Sequence, residues 1–233
     1  MSFYNLLNIN DWRYEKKFAI SSSTKHEVET VVKLHPAIFR KIFYERQVNN
    51  LYFDTLAMNN YNDNVIGTGE RLKVRIRWYG DTFGRIENPV LEIKCKNGHL
   101  GGKKRIPLQP FELDENTGKN DFYSLFSSSL DESSAIKQCI LSLKCSLLNN
   151  YTRSYFLSAD RKFRTTIDSN LSYYRFFYNS NKFLYGYNDR FNIVLELKYD
   201  GEDDRFADQV TSIFPYLITK SSKYIKGIDC LYA

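Results

Sequence analysis

An α+β fold with about eight strands and peripheral helices is predicted by three features of the sequence. Charged residues recur on one parity of short segments whose other parity is apolar, the mark of strands covered differently on their two faces. Asn97-Gly98 and Gly101-Gly102 sit between two such segments, which makes them antiparallel neighbours joined by a hairpin. Between strands lie stretches with apolar residues three and four apart, the period of an amphipathic helix.

The clearest strand is Arg71 to Tyr79. Arg71, Lys73, Arg75 and Arg77 share one parity, and Leu72, Val74, Ile76 and Trp78 share the other. Same-face neighbours lie about 7 Å apart, where like charges repel by roughly 2 kcal/mol at an effective dielectric near 20. A basic face enclosed by protein therefore needs an anion; one in open water does not.

The remaining elements follow in order. Residues 1–11 are polar and read as a loose lead-in. Trp12 to Ile20 is a first strand with Arg13, Glu15 and Lys17 on one face. Ser23 or Thr24 caps a helix over 25–34, striped by Val28, Val31, Val32 and Leu34 and interrupted by Pro36. Gln47 to Asp54 is a second strand, followed by a polar turn or short helix through Asn64. Gly67 and Gly69 lead into the basic strand, and Gly80-Asp81 ends it. Val90 to Lys96 sets Glu92, Lys94 and Lys96 against Leu91, Ile93 and Cys95. The hairpin then returns through Lys103 to Leu108.

Residues 111–134 are the least regular part, serine-rich towards their end, and Ala135 to Leu148 has helical spacing at Ile136, Ile140, Leu143 and Leu147. The charged-face pattern resumes at 151–155, 164–168 and 194–198. One domain over 1–233 is therefore expected, with 111–150 an irregular and helical insertion. Tyr173 to Tyr187 reads as an aromatic hairpin, Asp160-Arg161 and Lys182 to Arg190 as solvated turns. Asp203 to Phe214 is a helix with an acidic first turn, suited to its dipole. Ser221 to Gly227 closes the chain.

Bulk composition narrows the function. With 33 basic and 27 acidic residues, net +6, an anionic partner is expected. Cys95, Cys139, Cys145 and Cys230 have no metal-ligand spacing and read as reduced, packed thiols. His26, His35 and His99 are far apart and read as surface or loop residues. No run of 18 apolar residues and no leader pattern is present, so a soluble, cytoplasmic chain without a transmembrane helix is expected.

Two arrangements satisfy the recurring charged faces. An open sheet could turn them to water with helices behind, which would suit nucleic-acid binding. A barrel of about eight strands would instead turn them inward and pack helices on its apolar exterior. The inner parity then holds Arg13, Lys17, Arg75, Arg77, Lys94, Lys103, Arg105, Arg153, Arg164, Lys198 and Lys223 against Glu15, Glu92, Asp168 and Glu196. Arg71, Lys73 and Lys96 fall towards the barrel mouths. Such an excess suits a polyanion gripped by guanidinium forks, with carboxylates left to hold a divalent ion.

The series RYEKKF (13–18), YFDT (52–55), RLKVRIRWYG (71–80), LEIKCKNG (91–98), KKR (103–105), YTRSYF (151–156), RTTID (164–168), VLELK (194–198) and SKYIKG (222–227) resembles the VTC (vacuolar transporter chaperone) domain. That domain belongs to the triphosphate tunnel metalloenzymes, also called CYTH-like. The resemblance covers nearly the whole chain and implies a closed antiparallel β-barrel, a triphosphate tunnel, with helices outside. It implies a polyphosphate polymerase that transfers the γ-phosphoryl group of ATP to a growing chain with Mg²⁺ or Mn²⁺. An inorganic or nucleoside triphosphatase and a non-catalytic polyphosphate-binding module are the alternatives.

By the resemblance, Lys17, Arg75, Arg77 and Lys198 are catalytic, and Lys94, Lys103, Arg105, Arg153, Arg164 and Lys223 bind substrate. Lys104 competes with Lys103, which parity favours. Glu196 holds the metal with Glu15 and Glu92 as helpers. Partners are ATP, triphosphate or polyphosphate, with no nucleic acid; coupled export would need a separate membrane partner. One departure matters: the superfamily's ExExK signature reads Arg13-Tyr14-Glu15-Lys16-Lys17 here. One acid fewer argues for the polymerase-like branch over two-metal hydrolysis.

Overall fold

The computed structural model describes residues 12–98, 100–131, 135–177, 181, 183 and 186–232. The expected lead-in at 1–11, His99, residues 132–134 of the serine-rich stretch, and residues 178–180, 182 and 184–185 of the aromatic hairpin lie outside the described residues.

The strands are β1 (Tyr14–Ile20), β2 (Arg40–Asp54), β3 (Glu70–Tyr79), β4 (Gly84–Ile86), β5 (Val90–Asn97), β6 (Leu100–Pro107), β7 (Phe111–Leu113), β8 (Lys144–Leu157), β9 (Arg164–Arg175), β10 (Gly186–Asp189) and β11 (Ile193–Tyr199). Nine of them form one sheet in the order β1-β11-β9-β8-β2-β3-β5-β6, with β10 on β9; β4 and β7 form a separate ribbon. All pairings in the large sheet are antiparallel. Its two end strands approach each other at an isolated bridge. There the Arg13 amide donates to the Gly101 carbonyl and the Gly101 amide to the Arg13 carbonyl, both at 3.0 Å.

The helices are α1 (Lys25–Leu34), α2 (Asn59–Ile66), α3 (Lys119–Ser129), α4 (Ala135–Leu141), α5 (Asp204–Ile213) and α6 (Lys223–Tyr232). Of the two expected caps, Ser23 and Thr24, it is Thr24 that caps α1, in a capping box with Glu27. Val74, Ile76 and Trp78 of β3 pack with Leu91 and Ile93 of β5 beneath α3 and α4, through Phe122, Phe126, Ile136 and Ile140. Phe18, Ile167, Leu195 and Leu197 pack beneath α1 and α5, through Val28, Val32, Ala207 and Val210. No helix among the described residues is long and apolar enough to cross a membrane.

The charged face of β3 is covered too. Arg75 and Arg77 are only 5% and 8% exposed, interleaved with buried Val74, Ile76 and Trp78. Part of that cover is α6, whose Tyr224 and Ile228 join Val48, Tyr52, Leu147, Tyr151, Leu171 and Tyr173 in a third cluster.

Several elements differ from their sequence expectation. The helix expected over 135–148 ends at Leu141, where the amides of Ser142 and Leu143 close a turn onto Cys139 and Ile140; from Lys144 the chain is β8. Leu147 and Leu148 are buried in different clusters on opposite faces of that strand, which erases the alternation a half-buried strand shows. Cys145 thus sits on a strand. The strand expected from Gln47 begins at Arg40, because register shifts at Lys41/Phe43 and Phe43/Arg46 break its period. The 111–134 stretch contains β7 and α3, and the closing segment is a helix. Gly186–Asp189 is a strand with Asp189 buried, not a solvated turn. His35 is a buried residue, its Nε2 3.0 Å from the Val210 carbonyl.

Candidate functional site

Cross-strand register assembles the site. Across β1 and β11, Lys17 faces Glu196 and Glu15 faces Lys198. Lys17 Nζ lies 2.5 Å from Glu15 Oε1 and 3.8 Å from Glu196 Oε2. Lys198 Nζ lies 3.8 Å from Glu15 Oε2 and pairs with Glu196 Oε1. Two carboxylates and two ammonium groups thus form one interlocked square.

Next along the sheet, Arg153 on β8 faces Asp168 on β9. Its guanidinium donates to both Asp168 oxygens, at 2.5 and 2.7 Å, a fork geometry that a lysine cannot reproduce. Lys223, at the start of α6, adds an ion pair to Asp168 at 2.5 Å and lies 4.7 Å from the centre of the Tyr151 ring.

The third group is on β3 and β5. Arg75 donates to Glu92 Oε2 from Nε at 2.9 Å and from Nη2 at 2.5 Å. Arg105 donates to Glu92 Oε1 at 3.0 Å, and Arg77 Nη1 lies 3.5 Å from Oε2. Arg75 also reaches the Tyr52 hydroxyl at 3.3 Å, while Arg77 donates to Asn50 Oδ1 at 2.9 Å and the Tyr151 hydroxyl at 3.1 Å. Lys73 faces Lys94, and Lys94 faces Lys103 on β6.

The electrostatics follow from burial and crowding. Burial and Glu196 would each raise Glu15, yet Lys17, Lys198 and Lys94 outweigh them and hold it at about 2. Glu196 is driven well down against burial, first by Lys198 and then by Lys17. Both are therefore ionised at neutral pH. Lys94 falls well below its ordinary value through burial and then through Arg75. Lys73 falls to about 7 by burial and the charge of Lys17, and Lys103 to about 8 by burial and Arg105. The carboxylates present do not neutralise these lysines.

The expected residues divide on this geometry. Lys17, Arg75, Arg77, Lys94, Arg153, Lys198, Lys223, Glu15 and Glu196 come together on one covered face. Lys103, not Lys104, shares it, because Lys104 pairs with outward-facing Ile93. Arg105 is half exposed, its side chain at 53%, and Arg164 is exposed at the end of β9. Glu92 belongs to the face, but both its oxygens are occupied by arginines. Lys73 is half-buried and donates to Ser222 Oγ at 2.8 Å. Sequence reasoning missed Tyr52, Asn50 and Tyr151; the signal was available, since Tyr52 and Tyr151 stand two-residue steps from Asn50 and Arg153. An apolar cavity of about 40 Å³ lies elsewhere, beneath α3 and α4 against Phe53 and Ile140.

A divalent metal is testable against this donor set. Among the described residues no group of three or more His, Cys, Asp or Glu is placed to hold an ion. Glu15 and Glu196, both ionised and adjacent, suffice for a Mg²⁺-type ion, which keeps several waters and completes its shell with phosphate oxygens. Such an ion fits these residues. Glu92 fits it less, since both its oxygens accept from arginine guanidinium groups, whereas Glu15 and Glu196 are paired with lysine ammonium groups alone.

Structural comparison shows the same fold in proteins of very different sequence. A putative adenylyl cyclase from Hippeastrum, described as having a dominant triphosphatase activity, superposes with a TM-score of 0.53 at 12% identity, over 96% of this chain and 98% of that one. A putative adenylate cyclase from Vibrio parahaemolyticus gives 0.52 at 12% identity, over 92% and 98%. A search of curated protein sequences finds no significant match. The family model of the VTC domain matches residues 12–232, and the chain belongs to that family.

Proposed function

We propose that this chain is a polyphosphate polymerase-type phosphotransferase whose sheet closes, at the Arg13–Gly101 seam, into a tunnel for triphosphate. One observation carries the reading: Lys73, Lys94 and Lys103 share a covered face with the arginine cluster and are left short of counter-charge. A chain of phosphates supplies what that face lacks. Each additional phosphoryl group repeats the same charge along one line, as Lys73, Arg75 and Arg77 do along β3 with Lys94 facing Lys73 from β5.

In this mechanism the protein provides no nucleophile. Arginine forks and lysines hold the donor triphosphate and the acceptor phosphate chain in line and stabilise charge on the transferring group. Glu15 and Glu196 would hold a Mg²⁺ or Mn²⁺ ion, which neutralises charge on phosphoryl oxygens when bound. Lys17 and Lys198 keep both carboxylates ionised and oriented. On the charged face α6 covers part of the site, through Tyr224 and Ile228, and limits the access of water to the transferring group there.

Hydrolysis of triphosphate is the second reading, supported by the activity described for the Hippeastrum neighbour of the same fold. Against it stands Arg13, where a second metal-binding glutamate would be expected. Its guanidinium Nε lies 3.2 Å from Asp200 Oδ1, outside the Glu15–Glu196 square. Incubating the protein with ATP and Mn²⁺ decides between them. A ladder of long anionic polymer on a gel supports the polymerase; orthophosphate release from tripolyphosphate without chain growth overturns it.

A further inference from the structure

We propose that the aromatic cluster around Arg46 is a nucleobase platform, placed to take the purine of a nucleoside triphosphate whose phosphates lie on the basic face. The inference rests on the triphosphate reading above and extends it from phosphates to base. Arg46 on β2 faces Arg153 on β8 across the sheet. Its guanidinium carbon lies 4.6 Å from the ring centre of Tyr155, 4.8 Å from that of Tyr79 and 4.9 Å from that of Phe43. Phe43 and Tyr155 meet edge to face, with centres 5.8 Å apart and planes at 83°.

Position ties this cluster to the phosphate site. Tyr79 follows Arg77 by two residues and Tyr155 follows Arg153 by two, so each tyrosine lies on the same strand face as an arginine, about 7 Å further along. Two strands thus repeat one arrangement, an arginine for phosphate and then a ring towards the edge. A ribose spans that kind of gap between the α-phosphate and the base.

Packing around Arg46 does not account for all of it. Arg46 covers one side of these rings, yet Phe43 is 50% exposed, Tyr79 49% and the adjoining Tyr44 77%. Grouped exposed aromatic surface of this kind marks binding sites on soluble domains. Two polar groups inside the cluster, the Tyr155 hydroxyl and Arg46 Nε, are buried without a hydrogen-bond partner. A purine offers both complements: a π-face for the rings and ring-nitrogen or exocyclic groups for the orphaned polar atoms.

Calorimetric titration of ATP and of tripolyphosphate against wild type, Tyr79→Ala, Phe43→Ala, Tyr155→Leu and Tyr79→Phe tests this. Removing a ring should weaken ATP about tenfold and leave tripolyphosphate within about twofold, with Tyr79→Phe close to wild type. The half-exposed positions of Tyr79 and Phe43 keep those variants folded, which a melting curve verifies. Equal losses for both ligands, or unchanged ATP affinity in every ring variant, would overturn the platform while leaving the phosphate site standing. A wild-type protein that binds neither ligand would overturn the triphosphate reading and the platform with it.

Discussion

Lys73 and Lys94 face each other directly across β3 and β5 on the covered face of the sheet. Like charges directly opposed on a sheet are destabilising. Neither lysine has a carboxylate across from it, because Glu92, the nearest acid on β5, is already shared by Arg75, Arg77 and Arg105. The fold holds this repulsion in place through the apolar packing on the other side of the same strands. Under the proposed function, this face is organised for an anion before the anion arrives.

Tripolyphosphate binding at pH 8 should therefore take up protons. Lys73 at about 7 and Lys103 at about 8 are wholly or partly neutral there, and an adjacent polyanion returns them towards full charge. Titration calorimetry in two buffers of different ionisation enthalpy would read an uptake of about one proton or more. Equal apparent enthalpies in both buffers would contradict the assignment.

The same lysines set the pH dependence of stability. Their folded-state values lie below the ordinary 10.5, so between about pH 7 and 9 the unfolded chain binds more protons than the folded one. Stability of the ligand-free protein should rise with pH across that window. Above pH 9 the buried Cys95 thiol, raised to about 11, contributes with the opposite sign and flattens the rise. Denaturant melts at pH 7 and pH 9 check the direction, and saturating tripolyphosphate should abolish or reverse the difference.

Glu92→Gln should separate stability from binding. The Glu92 side chain is 2% exposed and its partner Arg75 7%, so removing the charge leaves buried guanidinium groups without a carboxylate, at a cost of about 3–5 kcal/mol. The vacated donors point at the phosphate face. Denaturant titration should accordingly show a large loss without ligand, and tripolyphosphate should restore more stability to the variant than it adds to wild type. A loss of similar size with and without ligand would assign Glu92 a packing role only.

Much of this was legible from residue order. β1, β3, β5 and β11 have one largely apolar, buried face and one charged face, so period two survives in Arg71 to Tyr79 and in Val90 to Lys96. The signal failed where both faces are apolar, as at Leu147 and Leu148 of β8, and where register shifts interrupt it, as between Lys41 and Arg46. Parity placed the residues of the basic face but could not say which carboxylates were already matched. Glu92 and Glu196 occupy the same kind of position on their strands. One is enclosed by three arginines and the other by two lysines, a difference that the pairing of β5 with β3 and β6, and of β1 with β11, creates.

Glu196→Gln should uncouple metal dependence from anion binding. Loss of one carboxylate from the square with Glu15, Lys17 and Lys198 removes half of the acidic donor set, and divalent-dependent turnover should fall by about 100-fold or more. Metal-free tripolyphosphate binding should hold or tighten, since a negative charge leaves the face. Parallel loss of metal-free binding would place Glu196 in the scaffold of the site instead.

Gly227→Ala tests the link between α6 and the site. A Cβ at Gly227 would lie 2.5 Å from Leu147 Cδ2 and 2.7 Å from Tyr173 Cδ1, inside a cluster where both residues are fully buried. Overpacking of this kind costs about 1–3 kcal/mol and moves the helix off the sheet. Lys223 lies one helical turn earlier, and its 2.5 Å ion pair with Asp168 depends on where α6 sits. The variant should therefore lose tripolyphosphate affinity as well as stability. Cys230→Ala, on the exposed side of the same helix, should change neither. If Gly227→Ala lowers stability but leaves affinity intact, α6 acts as a cover and Lys223 contributes nothing to the grip.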